Sequence, residues 1–91
     1  MKTMRALTTM AQELFDSVAP QLADRKRTVI AEHLECGEEG VAVEDILEWA
    51  IETGTPIDEG LWEELTGFYQ PLASSFSQDI RTKLATVPHA A

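Results

Sequence analysis

The segment EHLECGEE, residues 32–39, holds the side chains best suited to chemistry: His33 and Cys36 three apart, among Glu32, Glu35, Glu38 and Glu39. An imidazole one helical turn from a thiol is a possible nucleophilic pair, and both with carboxylates are possible metal ligands. The surrounding residues disfavour each. Zinc takes about four ligands in paired spacings, and the chain has one cysteine and two histidines, the second being His89 near the C-terminal end. The acids also lack the alternating spacing and terminal bidentate glutamate of a calcium loop. Carboxylates around a thiol raise its pKa and oppose activation. Cys36 reads as a small, partly buried structural residue and His33 as a histidine at the edge of the core.

The remaining carboxylates carry no catalytic pattern either. General acid–base work needs two carboxyls in environments that separate their pKa values. At 100° per residue, Glu44, Asp45, Glu48 and Glu52 share one outward arc of about 100°, where carboxylates simply ionise. No glycine-rich phosphate loop, nucleophile elbow or dinucleotide fingerprint is present. The expectation is a noncatalytic protein with no cofactor and no metal.

Charge distribution is more informative than any motif. The net charge is −9, and residues 32–64 hold twelve of the sixteen acids without one Lys or Arg. Residues 1–31 sum to +2 and residues 65–91 to +1. Such a block disfavours direct binding to nucleic acid and attracts cationic surfaces. Glu44–Glu48 and Glu48–Glu52 are like-charge pairs at i,i+4, each mildly unfavourable for a helix. The candidate partner-binding residues are therefore Glu44, Asp45, Glu48, Glu52, Glu59, Glu63 and Glu64. Trp49 and Trp62, at the margins of apolar arcs beside these acids, are candidate anchors.

The elements that must position them are helical. Periodicity near 3.6 runs through most of the chain, with no competing alternation of β-branched residues. A first helix is expected from about Thr3 to Val18, with Leu7, Met10, Ala11, Leu14 and Val18 on one side. A second covers Pro20 or Asp24 to Glu35, with Val29, Ile30 and Leu34 inward, ending at Gly37 in the left-handed conformation. The third, Glu38 to Thr53, has an apolar arc of about 200° and reads as a central helix stopped by Gly54. For the fourth, either Thr55 with Pro56 or Asp58 caps the start. It runs to about Gln70, with Leu61, Trp62, Leu65, Phe68 and Tyr69 inside. A fifth, Ser74 to Ala85, places Phe76, Ile80 and Leu84 on its inner side. The fold class is thus all-α: one compact domain over residues 1–86, a bundle of four to five short amphipathic helices, with 87–91 a flexible tail.

No apolar run approaches the roughly 20 residues of a membrane span. The start MKTMRALTTMAQE lacks a continuous apolar segment and a small-residue cleavage site, so a cytoplasmic location is expected.

From Ile30 to Leu72 the chain resembles the small immunity proteins of the Maf type, from bacterial polymorphic toxin systems. The resemblance lies in Gly37-Glu38 closing a helix, Ala42 with Ile46 and Leu47 in the amphipathic helix that follows, Ile57 in a short connection, and Leu61 with Leu65 in the next helix. It covers about half the chain, and Gly40 and Val41 give the middle helix an atypical start. It implies an immunity protein that binds and neutralises a cognate bacterial toxin domain, commonly a nuclease. An acidic helical surface complements the basic clefts of nucleases. Two other readings fit the charge: a nucleic-acid mimic that inhibits a DNA-binding protein, and a noncatalytic adaptor or structural subunit, monomeric or dimeric.

Overall fold

A computed structural model describes residues 5–91. Its five α-helices are α1 (Leu7–Val18), α2 (Asp24–Glu35), α3 (Glu39–Thr53), α4 (Glu59–Tyr69) and α5 (Ser75–Thr86), and the architecture is an all-α bundle. Thr3 and Met4, expected to open the first helix, lie outside the described residues; Ala6 is its N-cap. Pro20 sits not in α2 but in a single 3-10 turn, Ala19–Gln21, where its fixed φ is accommodated and no interior hydrogen bond is lost.

Local chemistry sets the helix ends. Gly37 and Gly54 have φ of +74° and +68°, the left-handed values that glycine adopts without a Cβ penalty. Around them the Glu38 N–H donates to His33 O at 2.8 Å and the Thr55 N–H to Ala50 O at 3.0 Å, satisfying carbonyls that a helix end leaves open. The Asp58 carboxylate accepts from the Leu61 N–H at 3.0 Å, so Asp58, not Thr55, caps α4. Ser74 does the same for α5, accepting from the Ser77 N–H at 3.1 Å.

The core is assembled around α3. Ala42, Val43, Ile46, Leu47 and Ala50 are buried on it, and it packs against α1, α2 and α5, which is the use made of its wide apolar arc. Met10, Ala11, Leu14 and Val18 of α1, Leu61 and Leu65 of α4, and Ile80 and Leu84 of α5 complete it. α4 packs on α1 and α5 rather than on α3.

Three expectations are corrected. Val29 and Phe76, read as inward, are 40% and 38% exposed. Val29 falls off the face of α2 that meets α3 and α1, where Ile30 is the one fully buried side chain. Phe76 lies in the first turn of α5, beyond the core, its ring over Gly40: a Cβ there would stand 2.9 Å from the ring.

The C-terminal end differs as well. Residues 87–91, expected to be a loose tail, dock instead. Val87 is buried, Ile57 donates its N–H to Pro88 O at 2.9 Å, and a short parallel pair forms between β1 (Ile57–Asp58) and β2 (His89–Ala90). The backbone ahead of α4 has polar groups that its own helix cannot satisfy, and the returning chain supplies a partner.

Candidate protein-binding surface

The seven candidate carboxylates do not form one free face. On α3 the stripe divides between two neighbours. Glu44 and Glu48 turn toward α5, where Lys83 Nζ stands 3.3 Å from Glu44 Oε2 and 3.5 Å from Glu48 Oε1. Burial alone would lower the lysine's pKa, but hydrogen bonding and attraction to Glu44, with Glu48 adding to both, outweigh it and raise it. Asp45 faces α2 instead, its Oδ2 3.4 Å from His33 Nε2, while His33 Nδ1 stands 3.5 Å from Glu38. The repulsion expected between Glu44 and Glu48 is therefore offset by a cation 39 residues from Glu44.

The acids of α4 are divided in the same way. Glu64 accepts a two-pronged contact from Arg5, Nε at 2.7 Å and Nη2 at 2.6 Å, and Glu13 also pairs with Arg5. The hydrogen bond to Glu64 is the main reason the guanidinium holds its proton still more firmly than usual, against a smaller opposing effect of burial. Glu59 contacts His89 Nδ1. Glu52 and Glu63 remain: both are exposed, and neither has an ion-pair or hydrogen-bond partner among the described residues.

The two tryptophans differ. Trp62 is committed internally: its indole N–H donates to Leu84 O at 2.8 Å, and one face of its ring stacks on His89, centroids 3.8 Å apart and planes 13° from parallel. Trp49 is partly buried against the core, one turn from Glu52 on the same helix.

His33 and Cys36 are not arranged as a nucleophilic pair. Both ring nitrogens of His33 face carboxylates, and Cys36, expected to be partly buried, is exposed at the C-cap of α2. Among the described residues no group of three or more His, Cys, Asp or Glu is placed to hold a metal ion, and no helix is long and apolar enough to cross a membrane.

Arg5, Lys83 and His89 as partners of the acids are not legible in the sequence. Their separations of 59, 39 and 30 residues from Glu64, Glu44 and Glu59 leave no local spacing to find them by. Fold and surface together define an all-α bundle whose carboxylates are shared between internal ion pairs and solvent. No known family model matches the chain, and no curated protein or solved structure is significantly similar to it.

Proposed function

We propose that this is a noncatalytic inhibitor of the immunity kind, which binds a basic, nuclease-type toxin domain and neutralises it by covering its cationic surface. The observation that carries the reading is the surplus of outward negative charge. Internal ion pairs bring charges together without changing their sum, so the net −9 is untouched by them. Glu52 and Glu63 stand exposed without partners among the described residues, and Glu32 and Glu35 add exposed negative charge on α2. A field of that sign raises the capture rate of a basic surface and discriminates against acidic ones. The resemblance over Ile30 to Leu72 supplies the toxin as the specific partner.

On this reading Glu52 and Glu63 make the electrostatic approach, with Trp49 beside Glu52 as the apolar anchor. Glu44, Asp45, Glu48, Glu59 and Glu64 contribute to the field while their first duty is to hold the bundle. The test is affinity capture from the native host, with wild type and a Glu52→Lys/Glu63→Lys variant side by side. A basic protein retained by wild type, released by salt and lost with the variant is the expected result. Equal retention by both proteins would contradict the reading. Displacement of the captured protein by duplex DNA, across a broad class of DNA-binding proteins, would favour nucleic-acid mimicry instead.

A further inference from the structure

We propose a second recognition site, opposite in polarity to the acidic faces, between α2 and α3: a groove that takes an acidic, aliphatic peptide segment of another protein. The groove has a volume of about 380 Å³ and is lined by Ala23, Arg25, Lys26, Val29, Ile30 and Asp45. Its size lies at the low end of ligand sites, roughly 300–1,000 Å³, enough for a few side chains of a peptide.

Three features of the molecule converge on it. The first is charge. Among the described residues Arg5, Arg27 and Lys83 engage carboxylates and Arg81 donates to the Tyr69 and Leu72 carbonyls. Arg25 and Lys26 are exposed, and no partner is found for either among the described residues. In a chain of net charge −9, the two cations that stand without partners among the described residues both line this groove.

The second is apolar exposure. Val29, at 40%, is the most exposed of the large hydrophobic side chains described, and it lines the groove with those cations and the buried Ile30. The third is the lightness of α2 itself, which fully buries one side chain in twelve residues. Val29 is thereby left as an apolar side chain on its outer side that the core does not use.

The occupant follows from these groups. An aliphatic side chain placed on Ala23, Val29 and Ile30 removes apolar surface from water, and neighbouring carboxylates meet Arg25 and Lys26. Asp45, facing His33 at 3.4 Å, sets a direction: the peptide's acids must lie at the Arg25–Lys26 end and its neutral part toward Asp45. A nucleic-acid backbone, charged along its whole length, meets Asp45 unfavourably. A second copy of this chain brings another nine negative charges, a general repulsion that a short peptide does not carry.

The experiment selects a randomised twelve-residue peptide library on the intact protein and maps the winners by amide chemical shifts. Enriched peptides are expected to place acids next to a Leu, Ile or Val, and to shift residues 23–30 and 45. Their affinity should fall at least tenfold on Arg25→Glu/Lys26→Glu and several-fold on Val29→Ser. These positions are exposed, and should charge reversal unfold α2, Arg25→Gln/Lys26→Gln replaces it, read by the same loss of affinity. The proposal is overturned if no peptide is enriched, if the enriched peptides are not acidic, if they shift other residues, or if they bind the charge variant as tightly as wild type. Sedimentation of wild type is run in parallel. A dimer dissolved by the same substitutions would make the occupant a second copy and overturn it too.

Discussion

Lys83 decides how the acidic stripe of α3 is to be understood. Alone, Glu44 and Glu48 are a like-charge pair one turn apart; with the ammonium 3.3 and 3.5 Å away they become a three-charge cluster tying α3 to α5. Ion pairs at or near the surface contribute little, so Lys83→Met is expected to lower stability by about 1 kcal/mol or less in denaturant unfolding. Its diagnostic is coupling: with Glu44→Gln already present, the same substitution should cost measurably less. Tyr69 is the opposite case, a buried hydroxyl for which no partner is found among the described residues. Burial first, then the charges of Glu39 and Glu44, push its pKa from 10.0 to about 12. The folded chain therefore holds this proton more tightly than the unfolded chain. Stability it contributes is present below pH 10 and is lost as pH rises toward about 12, by at most about 1.4 kcal/mol per unit. Tyr69→Phe should be neutral or stabilising near pH 7, since it removes an unsatisfied group, and should flatten that alkaline decline.

At the scale of elements, what was legible in the sequence was what is local. Glycines at 37 and 54 stop helices because their left-handed φ needs no distant partner, and Asp58, one of two caps that the spacing allowed, holds α4 through a group three residues on. Asp58→Ala is accordingly expected to cost about 1 kcal/mol. The return of residues 87–91 was not legible, because β1 and β2 are two residues each and pair across the intervening α4 and α5. No periodicity can develop in two residues. Val87 fastens that segment by burial, and Pro88 accepts the Ile57 N–H. Truncation after Val87 should therefore turn the Ile57 amide from protected to fast exchange, while amides of α3 stay protected. Val87→Ala should cost about 2 kcal/mol on the methylene scale. The outward position of Val29 was missed for a related reason: a weakly patterned helix does not say which of two apolar neighbours its partner will cover.

For the whole molecule, the acidic block of the sequence proves to be two things at once. Most of the candidate acids are engaged with Arg5, His33, Lys83 and His89, joining helices that are distant in sequence. Glu52 and Glu63 are left to solvent on α3 and α4, which pack on common neighbours rather than on each other. On the proposed function, this residual field captures a basic protein. The most direct test is the association rate of the captured partner with wild type and with Glu52→Lys/Glu63→Lys, each across ionic strength. Electrostatic capture predicts a wild-type rate that falls steeply with salt and a variant rate at least tenfold lower at low salt, the two converging as salt is raised. Rates that are equal at low salt and insensitive to ionic strength would contradict it.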